Sequence, residues 1–183
     1  METYIALLRG INVGGQKKIK MAELREQLQV LGFTNLKTYI QSGNIVFQSH
    51  TAPKAELANS IHQQIKQDYG FEVPTLVLTT TELHQIVAEN SFLTRPELDP
   101  KSLHVTILAS DPDPALVHEL EQFDDSPGEF SIMGRRIYLC VPTGYRNTKV
   151  DNNFIERKLK VQATTRNWRT CNKLWKMAQE VSG

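Results

Sequence analysis

The sequence predicts an α+β protein of two subdomains. The first is ferredoxin-like, βαββαβ with an antiparallel sheet; the second is a related βαββαα arrangement. Three observations predict this. Apolar runs of strand length alternate with longer stretches of helical period. Glycine and proline stand where strands and helices must stop. The order β-α-β-β-α-β is complete within roughly 80 residues, the split βαβ order, and then partly recurs.

Thr3 to Arg9 is a short apolar run stopped by Gly10, a strand. In Lys20 to Leu31, Met21, Leu24, Leu28 and Leu31 fall on one helical face, and Gly32 ends the helix. Leu36 to Gln41 alternates in period two, Ser42-Gly43 turns the chain, and Asn44 to Gln48 returns as a second hairpin strand. Pro53 to Tyr69 is a helix with Leu57, Ala58, Ile61 and Ile65 on its apolar face, stopped by Gly70, and Val73 to Thr79 is the fourth strand. A short helix, Glu82 to Glu89, leads into Ser91 to Lys101, which carries Pro96 and Pro100 and reads as a linker. Leu103 to Ala109 is then a strand, and Asp111-Pro112 opens a helix through Phe123. Ser126-Pro127-Gly128 breaks it, with Asp124-Asp125 as its end turn. Glu129 to Met133 and Arg135 to Val141 flank Gly134 as a hairpin, and Asn153 to Val161 and Asn167 to Val181 are helices. The ferredoxin-like subdomain is thus placed at 1–90 and the second α/β subdomain, with the C-terminal helices, at 102–183.

Composition bounds the function. A chain of 183 residues, 40% hydrophobic and 22% charged, has the make-up of an ordinary globular protein. Its two cysteines, Cys140 and Cys171, lie far apart in apolar runs, as reduced thiols of a cytoplasmic protein would. The N-terminus opens directly on a strand pattern, so no signal peptide is expected. No apolar run is long enough to span a membrane, so no membrane partner is expected. The net charge is +1, yet Gly144 to Lys176 holds nine cations against Asp151 and Glu156. That asymmetry marks either an anion-binding face or a solvated helix surface. The five histidines are scattered without metal-ligand spacing, so neither a metal nor a cofactor is implied. The sequence contains no G-x-S-x-G, H-E-x-x-H or C-x-x-C. The third strand lacks the basic-aromatic pattern of an RNA-recognition sheet.

The candidate site comes from topology. In an antiparallel βαββαβ sheet of order 4-1-3-2, strands one and two are two spacings apart, about 10 Å. The loop after strand one and the turn between strands two and three then share one edge. That brings Arg9, Asn12, Gly14 and Gly15 near Gln41, Ser42 and Asn44. The loop "LLRGINVGGQKK" is either an anion-cradling run of backbone N–H groups or a tight turn; it lacks the P-loop and the dinucleotide-binding spacings. A second feature is "TTRNWRT". Thr164 or Thr165 is expected to cap the last helix, with Arg166 and Arg169 in its first turn opposing the helix dipole. Arg166 and Asn167 therefore join the candidate ligand contacts. Trp168, Cys171, Trp175 and Ala178 are expected to form that helix's buried face, a core stripe rather than a base-stacking platform.

The segments "ALLRGINVGG" from Ala6, "LGFTNLKTYIQSGNIVF" from Leu31 and "TTRNWRTCNKL" from Thr164, in this order, resemble the bacterial DUF1697 family over nearly the whole chain. The matching positions include Arg9, Gly10, Asn12, Gly14, Gly15, Gln41, Ser42, Gly43, Asn44, Thr165, Arg166, Asn167 and Trp168. The resemblance implies a small intracellular α+β protein, and it brings no catalytic residues or cofactor. Three readings of function follow: a module binding a small anionic ligand or nucleotide at the loop cluster; an RNA-binding or protein-interaction module using the basic C-terminal third; and an enzyme working at the same cluster by charge stabilisation.

Overall fold

The computed structural model describes residues 1–183. The chain divides into two compact units, Met1–Gln85 with Lys173–Gly183, and Ile86–Asn172.

The first unit contains β1 (Glu2–Leu8), α1 (Met21–Leu28), β2 (Thr34–Tyr39), β3 (Asn44–Ser49), α2 (Lys54–Tyr69) and β4 (Thr75–Thr79), followed by the start of α3 (Thr80–Ala88). Its strands run antiparallel in the order β2-β3-β1-β4, the order that βαββαβ connectivity requires. Tyr4, Ala6, Leu8, Ile45, Phe47 and Val77 form one sheet face. They pack against Met21, Leu24 and Leu28 of α1 and Leu57, Ile61 and Ile65 of α2, the helical positions that periodicity selects. Helix α1 ends before Leu31, which sits in a single 3-10 turn closed by Gly32.

On the opposite sheet face Ile5, Leu7 and Val46 are also buried. By strand alternation this face carries Thr3 and Gln48 too. Both bond to the end of the C-terminal helix: Gln48 Nε2 donates to the Val181 carbonyl at 2.9 Å, and Ser182 Oγ donates to Thr3 Oγ1 at 2.9 Å. A sheet apolar on both faces needs cover on both. That is why Lys173–Gly183 belongs to the first unit, where the sequence reading assigned it to 102–183.

The second unit contains β5 (Leu103–Leu108), α4 (Pro114–Glu121), β6 (Glu129–Met133), β7 (Arg136–Cys140), α5 (Asn152–Leu159), β8 (Ala163–Asn167) and the start of α6 (Trp168–Ser182). Its sheet is antiparallel in the order β6-β7-β5-β8. Leu108, Ile137, Leu139 and Val141 meet Leu120 of α4 and Ile155 and Leu159 of α5 in its core.

Strand β8 corrects the expected βαββαα order: the second unit repeats the βαββαβ order of the first. Its threonines act as strand residues, not helix caps. Thr165 stands opposite Thr106, and their hydroxyls lie 2.7 Å apart, a cross-strand pair that stabilises a sheet. The cap is Asn167, whose Oδ1 accepts from Thr170 N at 2.8 Å. Strand and helix therefore join without a loop, and no glycine or proline marks the boundary. Asp125 is more than an end turn. Its buried carboxylate accepts from Thr148 Oγ1 at 2.7 Å, Lys149 N at 2.9 Å and Val150 N at 3.3 Å, fastening the bend after α4 to the segment before α5.

Both cysteines are free and buried. Cys140 ends β7, and Cys171, in the first turn of α6, is 1% exposed. Burial pushes the Cys171 thiol up to about 12. Native protein treated with a thiol reagent at about pH 8 is therefore expected to show no fast labelling at either site, with both reacting at once after denaturation. A fast phase in the native protein would contradict this burial.

Candidate functional site

The site is built on the β1–β3 pairing. Leu7 stands opposite Asn44, and the ladder continues one residue further, where Leu8 N donates to the Gly43 carbonyl at 2.8 Å. This approach dictates Gly43. A Cβ there would sit 2.5 Å from Leu8 Cβ, and its φ is +78°, a conformation that suits glycine.

Past β1, Arg9 N donates to the Pro74 carbonyl at 2.9 Å. The chain then makes a small excursion between two buried anchors, Ile11 and Ile19. Val13 and Gln16 bridge as an antiparallel pair, with Gln16 N donating to the Val13 carbonyl at 3.0 Å. Between them Gly14 and Gly15 have φ of +58° and +77°. Two left-handed residues in a two-residue connection make a type I′ turn, which demands glycine or asparagine. The glycine pair is thus the tip of a miniature hairpin. Both glycines are exposed, and open space surrounds the position of a Cβ at each. Lys17 clamps the hairpin base through Nζ, which donates to the Glu72 carbonyl at 2.6 Å.

Asn12 fixes the excursion in place. Its Oδ1 accepts from Ile19 N at 2.9 Å, and its Nδ2 donates to the Ile19 carbonyl at 2.9 Å and the Gln41 carbonyl at 2.8 Å. One side chain closes the loop and joins it to the β2–β3 turn. Asn12 adopts φ +55°, tolerable for asparagine because its short amide bonds locally. Across the edge, Asn44 is fully buried; its Nδ2 donates to the Tyr39 carbonyl at 3.1 Å and to Ser42 Oγ at 2.9 Å. The same turn holds Ile40 at φ +49° while leaving it 49% exposed. A β-branched residue there is an outlier, and no sequence signal marks it.

The structure thus gathers Arg9, Asn12, Gly14, Gly15, Gln41, Ser42 and Asn44 at one sheet edge. Gly14, Gly15, Gln41 and Ser42 are exposed, Arg9 and Asn12 half-buried and Asn44 buried. Arg166 and Asn167 belong to β8 of the second unit. Arg166 stands opposite Val105 rather than in the first turn of α6, so of the two arginines only Arg169 faces the helix dipole. Burial holds the Arg166 guanidinium down to about 10, and its Nη1 donates to the Thr165 carbonyl at 2.9 Å. The buried face of α6 runs through Trp168, Cys171, Leu174, Met177, Ala178 and Val181. Trp175 lies beside it, half-buried and stacked on His84 with ring centroids 4.8 Å apart.

Chemically the edge offers the exposed Gly14–Gly15 turn, the exposed Gln41 side-chain amide and the half-buried Arg9 guanidinium. No group of three or more His, Cys, Asp or Glu side chains is arranged to hold a metal ion. No helix is long and apolar enough to cross a membrane.

A family model described as a protein of unknown function, DUF1697, matches residues 1–138. The conserved bacterial protein SP0830 from Streptococcus pneumoniae has a similar solved structure. It is 26% identical, the alignment covers 97% of this chain and 98% of that one, and the TM-score is 0.75. No curated protein matches the chain.

Replacing Asn12 by alanine strands both backbone groups of Ile19 and the Gln41 carbonyl and leaves at φ +55° a residue without the amide that makes this conformation tolerable. The expected loss is about 2–4 kcal/mol in urea denaturation. Asn12→Gly removes the same bonds but relieves the backbone, so it should recover about 1 kcal/mol of that loss. Equal stability for the two variants would mean that φ at this position carries no strain.

Proposed function

The chain belongs to the DUF1697 family of unknown function, and we propose that it binds a small anionic or phosphate-bearing ligand on the rim between the loop after β1 and the β2–β3 turn. The observation that carries this reading is the Asn12 bridge between Ile19 and Gln41. It holds donors from two distant segments at fixed separation, so a ligand meets them without an added ordering cost. Asn12 and Asn44 serve as the holding groups, because their amides already bond within the protein. The ligand contacts in this reading are Arg9, Gln41, Ser42, whose hydroxyl also accepts from Asn44 Nδ2 at 2.9 Å, and the exposed Gly14–Gly15 backbone. Around the loop Arg9, Lys17, Lys18 and Lys20 outnumber Glu23, which pairs with Lys20, and Glu72, whose carbonyl accepts from Lys17, so the local field favours an anion. No nucleophile–base pair stands at the rim, and the reading is of binding rather than catalysis. The free, buried cysteines accord with a reducing compartment, and we place the protein in the cytoplasm.

The test is thermal unfolding in phosphate, sulfate and a series of nucleotides. A ligand at one hundred times its dissociation constant should stabilise wild-type protein by about 2.7 kcal/mol. Arg9→Ala should abolish that gain. A small anion gives a shallow dependence of log affinity on log salt, whereas an RNA partner neutralising many phosphates gives a steep one. A melting temperature indifferent to every anion tried would overturn the reading and leave the loop as a turn.

A further inference from the structure

Each four-stranded sheet has two outer strands, and the four edges differ. The outer strands β4 and β8 contain buried residues, Val77 and Leu78 in one and Ala163 and Thr164 in the other. Both run directly into helices. The β2 edge is open but blunted: its register shifts between Thr34 and Lys37, Asn35 adopts φ +51°, and Lys37 stands in the strand. Bulges and lysines are the usual devices that stop an edge from pairing. Strand β6 has none of them. Every residue from Glu129 to Met133 keeps some exposure, the register with β7 is unbroken, and the segment Glu-Phe-Ser-Ile-Met contains no proline, glycine or lysine.

The direction of its backbone groups follows from the hairpin. Met133 and Arg136 flank the two-residue turn Gly134-Arg135, with Gly134 at φ +58°. The flanking pair of such a hairpin exchanges both its hydrogen bonds, and bonded pairs then alternate. Ser131 and Glu129 therefore bond to β7, opposite Tyr138 and Cys140, while Phe130 and Ile132 turn their N–H and C=O groups outward.

We propose that β6 pairs antiparallel with β6 of a second copy, about a two-fold axis at Ser131, joining two four-stranded sheets into one of eight. The strand is self-complementary in that arrangement. Phe130 of each copy stands opposite Ile132 of the other and exchanges both backbone bonds with it. The four apolar side chains form one row on the face where Phe130 and Ile132 already pack against the core. Ser131 meets Ser131, a small polar pair. Glu129, where the strand starts, pairs with Arg95, and Arg135 and Arg136, just past its end, pair with Asp111 and Glu89, so the second copy meets ends whose charges are already matched within the chain. Five residues span about 17 Å, a contact smaller than the about 1,200 Å² of stable interfaces. The dimer is accordingly weak and concentration-dependent, and independent of the ligand rim.

Sedimentation equilibrium of the full chain from about 10 μM to about 1 mM should show reversible dimerisation. Amide exchange at Phe130 and Ile132 should slow as concentration rises. Ser131→Lys and Ser131→Glu each place like charges face to face on the axis and should weaken association at least about tenfold. Each should melt near wild type, since Ser131 is half-exposed. An equimolar mixture of the two should associate again to within about threefold of wild type, because lysine then faces glutamate. A strictly monomeric wild-type protein would overturn the proposal, as would a dimer indifferent to both substitutions or a mixture that stays monomeric. Exchange at Phe130 and Ile132 that ignores concentration would overturn it without any variant.

Discussion

The antiparallel pairing of β1 with β3 is the constraint on which the candidate site depends. It sets Leu7 against Asn44, and every later feature of that edge inherits the register. Leu8 reaches Gly43 because the ladder overruns the strand by one residue. Gly43 is glycine because Leu8 Cβ occupies the place a side chain would take. Asn12 reaches Gln41 because both loops leave the sheet at the same end. A slip of one residue would exchange the two faces of β3, moving Asn44 and Val46 onto the helix-covered face where Ile45 and Phe47 now pack. The apolar pattern of β1 and β3 therefore fixes the site indirectly, by forbidding the alternative registers.

Much of the fold was legible because its signals are local. Helical spacing in α1 and α2, with a glycine just past each stretch, names helices and their buried faces. The strand order follows from connectivity, and the meeting of the two loops follows from the strand order. What stayed hidden depended on tertiary contact. Ala163–Asn167 carries neither apolar alternation nor punctuation. Its strand character arises from Thr106 across the ladder, and threonine is as plausible a cap as a strand residue. The last helix could not be divided from sequence either, since its first turn belongs to one unit and Lys173–Gly183 to the other. The division shows only when both faces of the first sheet prove apolar. The same holds at the site. Nothing in "GINVGGQKK" separates a type I′ turn from an anion cradle, because both use glycine for its left-handed φ.

The two units obey one plan with different fastenings. Strand orders β2-β3-β1-β4 and β6-β7-β5-β8 correspond position for position. Yet the loop after β1 is locked by the Asn12 amide, whereas the bend after α4 is locked by the Asp125 carboxylate. Asn12 serves one donor and two acceptors of the backbone, a task only an amide can perform. Asp125 faces donors alone, one hydroxyl and two backbone N–H groups, and an ionised carboxylate suits that set better. Chemical type at each lock is decided by the backbone groups left over at that point in the fold.

The same reasoning changes how the residues of the glycine loop, the β2–β3 turn and the start of α6 are read. Asn12 and Asn44 hold backbone, Gly14 and Gly15 satisfy a turn type, Gly43 permits a close approach, Asn167 caps α6 and Trp168 fills core. Folding therefore accounts for seven of these positions without a ligand. A motif dominated by such residues preserves a shape, and chemistry enters only at what the shape presents. At this edge it presents the exposed Gly14–Gly15 turn and the exposed Gln41, in a geometry held by the half-buried Asn12 and the buried Asn44. Binding energy there would not be spent on ordering the loops, which is the physical advantage of placing costly buried amides under an otherwise plain turn.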